Sequence, residues 1–230
     1  MVALCNVRFG KSNDDVRAIQ NALIAAGFII PVGATGFFGE QTKAAYAAWQ
    51  RNLGFTRSAA DGFPGCVSLT KLGNKAGFSV DCREPGGIAK SSVGFSRNSG
   101  IIIDKPTARA FAEQACDKTG APRAWVTGVS NGANLITLIN RESGFRPNAV
   151  NKNDVNANGP VQPDGAKLNC SRGYAQVIPG TFAEHHEEGT SNQIYDPVAN
   201  IAAAINYIWS RYGDISRVQQ ANPALPPAGY

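Results

Sequence analysis

One interruption limits what this 230-residue chain can become. From Asp81 to Lys105 the sequence is rich in Gly, Ser and charged residues, and Glu84-Pro85-Gly86-Gly87 breaks any regular element. Proline removes a backbone donor and glycine frees the dihedrals, so neither helix nor strand runs through it. The segment 81–105 therefore reads as a linker between a domain over 1–80 and another over 106–220, with a Pro-rich, extended tail at 221–230. Two domains suit a chain of this length, since domains usually run to about 100–150 residues.

Composition narrows the classes further. A charged fraction of 17% with 43% hydrophobic residues argues against disorder and against a coiled coil. No stretch approaches the roughly 20 apolar residues of a membrane span. Met1 to Arg8 lacks the apolar core of a secretory signal, so action outside the membrane would depend on release by another route. The net charge of +5 sits mostly in residues 1–80, with eight Lys or Arg against four Asp or Glu. That excess suits a polyanion such as a bacterial wall with acidic polymers, and it lacks the clustered stripe of a nucleic-acid binder. The cysteines (Cys5, Cys66, Cys82, Cys116, Cys170) form no Cys-x-x-Cys pair, which leaves a zinc ribbon unsupported and disulfides open.

In the first segment, Ser12, Asn13 and Asp14 offer caps to a helix whose Val16, Ile19 and Leu23 recur at helical spacing before Gly27. Thr42, Ala45, Trp49 and Leu53 mark one face of a second helix, and Ser68 to Leu72 leaves room for a third after the turn Asp61-Gly62-Phe63-Pro64-Gly65. Val16-Arg17-Ala18-Ile19-Gln20-x-x-Leu23, Thr35-Gly36-Phe37-Phe38-Gly39-x-x-Thr42, Ala48-Trp49-Gln50 and Asp61-Gly62-x-x-Gly65 together resemble the three-helix peptidoglycan-binding domain of wall hydrolases. The resemblance makes Gln20, Thr42, Gln50 and Asp61 candidate wall-binding residues. Their competing role is to cap and brace the bundle.

In the second segment, Pro106 opens a helix through Lys118, Pro179 opens a short one, and Asp196-Pro197 starts a long one with Ile201, Ile205, Ile208 and Tyr212 on one stripe. Ile101-Ile102-Ile103 is a candidate short strand. Between them Leu135, Ile139 and Glu142 fall at i, i+4 and i+7, which places an acid on an otherwise apolar helix face just before Pro147. Desolvation there would favour the neutral carboxyl and make it a proton donor. The plain alternative is a solvated acid in a last helical turn, and this spacing alone leaves both open.

Glu142-Ser143-Gly144-Phe145-x-Pro147-x-Ala149-x-Asn151, Arg172-Gly173-Tyr174-Ala175-Gln176-Val177-Ile178-Pro179-x-Thr181-Phe182 and Tyr195-Asp196-Pro197-x-x-Asn200-Ile201 through Gly213 resemble the soluble lytic transglycosylases, related to goose-type lysozyme, in the form found in phage tail and lysis proteins. That resemblance implies a mainly α protein: a three-helix peptidoglycan-binding bundle and a lysozyme-like helical catalytic domain. It implies that Glu142 is the catalytic acid and base and that Ser143, Gly173, Tyr174, Ala175 and Gln176 line the sugar cleft. Ala175 stands where the family usually has methionine, and no clear Ala-Tyr-Asn block follows, so Tyr207 is the candidate stand-in. The implied reaction cleaves between N-acetylmuramic acid and N-acetylglucosamine and leaves 1,6-anhydro ends. A lysozyme would instead need a second carboxylate, for which Asp154 and Asp164 are candidates. Peptidoglycan is the expected partner, with no cofactor or metal, for a monomer made in an infected host and released to the wall or carried on a virion. A non-catalytic wall-binding protein is the alternative from another class.

Other motifs carry less. Gly128-Val129-Ser130-Asn131-Gly132 matches a nucleophile elbow but lacks the surrounding strands, so Ser130 and Asn131 are expected to cap the Glu142 helix. Asp154-x-Asn156-x-Asn158-Gly159 begins like a calcium loop but has Gly165 at the twelfth position. His185 and His186 sit among Glu184, Glu187 and Glu188 as a solvated group, and Cys116 and Cys170 lack a peptidase signature.

Overall fold

A computed structural model describes residues 1–56, 60–82, 87–153 and 157–230. The chain forms two compact units, Met1–Glu84 and Pro85–Tyr230. Both are mainly helical, as the sequence patterns require.

In the first unit, α1 (Asp14–Ala25), α2 (Glu40–Asn52) and α3 (Cys66–Ala76) form the bundle. The Asn13 side chain accepts from Val16 N at 2.9 Å and caps α1. Val16, Ile19 and Leu23 then bury completely against Tyr46, Trp49, Leu69 and Leu72. Each such aliphatic side chain contributes about 1.5–3 kcal/mol on leaving water. Two short strands, β1 (Val2–Ala3) and β2 (Val80–Asp81), pair in parallel and tie the start of the unit to its end. A disulfide joins Cys66 to Cys82, while the buried Cys116 and Cys170 are free thiols.

The second unit is built on α8 (Pro197–Tyr212), capped by the Asp196 side chain accepting from Ala199 N at 2.8 Å. Its Ile201, Ala202, Ala203, Ala204 and Ile205 are all fully buried, so this helix is apolar nearly all round and forms the centre of the core. Against it packs α4 (Lys105–Thr119), whose Ala108, Ala112 and Ala115 let the two backbones approach closely. The short α5 (Ala124–Thr127) places Trp125 with its ring 5.2 Å from that of Trp209. Then α6 (Leu135–Ser143) carries the predicted acid, β3 (Val150–Asn151) pairs antiparallel with β4 (Ser171–Arg172), and α7 (Pro179–Glu184) leads toward α8.

Several expectations need correction. Of the segment 81–105 read as a linker, Asp81 and Cys82 are tied into the first unit by β2 and the disulfide, and residues 87–105 belong to the second. Ile88 N donates to Ala183 O, Gly94 bridges to Asn192 and Ile194, and Val93 is buried in the core. Its glycine serves close approach: a side chain at Gly94 would run into Gln193 at 2.3 Å. The tail is fastened as well, with Tyr230 packed on the core cluster and its OH bonded to Ala175 O. Ile101 to Ile103 form no strand, and Ile102 and Ile103 are exposed. The cap of α6 is Asn134, which accepts from Thr137 N at 2.7 Å. Asn131 instead reaches Ser216 O. His185 and His186 are buried, His186 bonding Ser191 O, rather than solvated.

Candidate active site

The acid of α6 stands on the rim of a cleft because the helix stops beside it. Leu135, Leu138 and Ile139 anchor the helix in the core, and Gly144 ends it in the left-handed region at φ 58°. Glu142, in the final turn, is half-buried and faces a cleft of about 560 Å³. Ser143, Asn151, Ser171, Gln176, Gln220 and Tyr230 line it with Glu142, and Glu142 is the one acidic residue among the described lining residues. Gln220 Nε2 donates to Glu142 Oε1 at 2.6 Å. The neighbouring Arg141, which also lines the cleft, donates to the backbone carbonyls of Gln219, Gln220, Asn222 and Leu225, fastening residues 219–225 beside it.

Among the described residues, two that are not glycine adopt the left-handed backbone, Phe145 at φ 62° and Gln176 at φ 49°. Both flank the Glu142 turn. Gln176 is held there by its side chain, whose Nε2 donates to Ala149 O and Gly173 O. Beyond it a smaller cavity of about 240 Å³ is lined by Gln176, Thr181, Tyr207 and Tyr230. Burial, and next the negative charge of Glu142, push the Tyr230 phenol well above its ordinary range, so it remains a neutral donor.

The residues expected in the sugar cleft divide. Gln176 and Ser143 line it, although Ser143 Oγ is turned inward and donates to Ile139 O. Tyr174 and Ala175 are fully buried and support it from behind. Gly173, at φ 78°, lies so close to Asn200 that a Cβ there would meet the amide at 2.4 Å. Asn200 in turn holds Arg172 O, Ile194 O and Ala175 N, which sets the course of the 172–176 loop. Tyr207 borders the smaller cavity.

Asp164 is a structural acid. Its side chain is fully buried, as is that of Arg172, whose Nε and Nη2 grip both carboxylate oxygens while Tyr195 OH donates to one of them. Burial opposes its charge, but the hydrogen bonds from Arg172, Tyr195 and Ala166 N, with the guanidinium charge, hold its carboxyl below the usual range. It is absent from the cleft lining. Asp154 lies outside the described residues.

In the first unit, Gln20 Nε2 donates to Phe37 O and Thr42 Oγ1, and its Oε1 accepts from Gly36 N. Gln50 repeats the device with Phe63 O, Asp61 and Gly62 N. These four residues brace turns, with Gln20, Thr42 and Gln50 buried. Gly62, at φ 81°, allows the second turn to approach Lys43 O, which a Cβ would meet at 2.4 Å.

Residues 128–224 match the family model described as "Transglycosylase SLT domain". The second unit carries an SLT transglycosylase domain. Residues 12–63 match the model described as "Putative peptidoglycan binding domain", so a peptidoglycan-binding domain precedes it. Over 136 residues the chain is 34% identical to "Uncharacterized protein YqbO" of Bacillus subtilis (strain 168), which covers 59% of this chain and 7% of that protein. This chain thus spans a small part of that relative's length. Within the SLT match, Arg141 and Gln220 escaped the sequence reading.

Proposed function

We propose that the protein is a lytic transglycosylase that cleaves peptidoglycan glycan strands between N-acetylmuramic acid and N-acetylglucosamine. The carrying observation is Glu142 as the one acid among the described residues lining the cleft of the SLT domain. Glu142, protonated, gives its proton to the glycosidic oxygen as the C1–O bond breaks. The muramic acid C6 hydroxyl oxygen then bonds to C1, and the Glu142 carboxylate takes the hydroxyl proton. The ring closes as a 1,6-anhydro sugar, no water is consumed and the acid is regenerated. An inverting lysozyme would need a second carboxylate roughly 6.5–9.5 Å away, and Asp164 is already committed to Arg172.

The first unit would hold the enzyme on the wall as a monomer. The pairing of a wall-binding with a glycan-cleaving domain also supports a wall-lytic role of the phage type, as a free lysin or a virion part. Glu142→Gln tests the reading: it should abolish release of soluble fragments from purified walls while the protein still sediments with them. Mass spectrometry of wild-type products should show anhydro ends, lighter by one water than reducing ends. Cleavage by Glu142→Gln, or reducing ends alone, would sink it.

A further inference from the structure

Glu142 has a neighbour that no motif announces. Gln220, 78 positions later in the chain, donates its Nε2 proton to Glu142 Oε1 at 2.6 Å. A glutamine amide has a donor end and an acceptor end, and either can turn toward a carboxyl group. Here the backbone makes the choice. Ala228 N donates to Gln220 Oε1 at 3.0 Å, so the acceptor end is engaged and the donor end faces the acid. The Gln220 carbonyl accepts from Arg141, next to Glu142 on α6, and the residue is only 7% exposed. The amide is thus fixed at both ends and shielded from water.

We propose that Gln220 is a positioning residue that dictates which oxygen of Glu142 transfers the proton, an inference that rests on the acid/base role given to Glu142 above. A proton on Oε1 would point at the incoming amide hydrogen, two donors facing with no acceptor between them. The proton therefore rides on Oε2, leaves from Oε2 for the glycosidic oxygen, and returns to Oε2 from the sugar hydroxyl. Gln220 neither gives nor takes a proton. It keeps the working oxygen the same in both half-reactions, so the carboxyl group need not rotate between acting as acid and acting as base. This arrangement spans the domain, because the lock on the amide comes from the segment that Arg141 fastens and that ends at Tyr230 in the same cleft.

Two variants test it. Gln220→Met keeps the length of the side chain and removes the donor. Ala228→Pro keeps Gln220 and removes the N–H that orients its amide, in a stretch that already reads Pro226-Pro227. Turnover of soluble glycan-strand fragments by the full chain is followed across acid to alkaline pH, with a thermal scan of each variant as the folding control. Both variants should lose kcat roughly tenfold to a hundredfold, as for misplaced catalytic groups, with KM little changed. Because an N–H donor favours the ionised form, its loss moves Glu142 protonation to higher pH, and the alkaline limb of the profile should shift up. If Gln220→Met fails to fold, Ala228→Pro decides alone. Wild-type kcat, or a loss of kcat with an unmoved limb, overturns the positioning role. Activity in Glu142→Gln, measured alongside, would instead remove the acid/base reading beneath it.

Discussion

Replacing Asp164 with alanine removes the acidic partner of Arg172 and leaves every lining residue of the Glu142 cleft in place. Both side chains are fully buried, and the guanidinium cannot shed its charge. Taking one partner from a buried pair costs about 3–5 kcal/mol. The carbonyls of Leu168, Cys170, Ala166 and Lys167 still receive Arg172, which moderates the loss, while the Tyr195 hydroxyl also loses its acceptor, worth about 1 kcal/mol. A net loss of about 4 kcal/mol corresponds to roughly 8–16 °C in the melting of a unit this size. Differential scanning calorimetry should show the second unit's transition falling by that much with the first unit's unmoved. The sign with pH is also set. The carboxyl is held below its ordinary value, so its stabilisation is complete above about pH 4 and fades as pH falls through the folded value. The gap between wild type and Asp164→Ala should therefore close in strong acid. A variant that melts like wild type but no longer cleaves walls would refute this account and return Asp164 to the chemistry as a second carboxylate.

Three further outcomes are expected. Gly173→Ala should destabilise the second unit by several kcal/mol, since its Cβ displaces the buried Asn200 amide at a left-handed position; urea titration checks this. Reduction of Cys66–Cys82, which are 16 positions apart, should cost the first unit about 3 kcal/mol in the chain-entropy picture, read from its melting with and without reductant. Gln20→Ala should weaken wall sedimentation only as far as it lowers the melting of the first unit, because its amide is spent on Phe37, Thr42 and Gly36.

Local signals were the legible ones. The Asn13 and Asp196 caps and the apolar stripe of α1 appear in the structure as their spacing predicts, because a helix is decided within a few turns, whereas α8 is buried nearly all round and not on the one expected stripe. The paired strands were invisible, since two residues each carry no alternation. The packing of residues 87–105 within the 81–105 segment is not legible, because Gly94 marks close approach while Gly100 marks backbone freedom, and composition does not separate the two. Glu142 was legible as a candidate through its place on an apolar face. Gln220 and Tyr230 were not, because what brings them to Glu142 is a long return of the chain stitched by Arg141, and no periodicity encodes that.

The left-handed backbones of Phe145 and Gln176 carry a consequence for engineering. Each costs of order 1–3 kcal/mol relative to a residue at ease there. A selection for heat tolerance alone would find glycine or asparagine at these two positions early, and each such gain would strip a side chain from the turn beside Glu142 or from the cleft wall. Thermostable descendants of this domain should therefore be screened for turnover at every round, with these two codons held fixed.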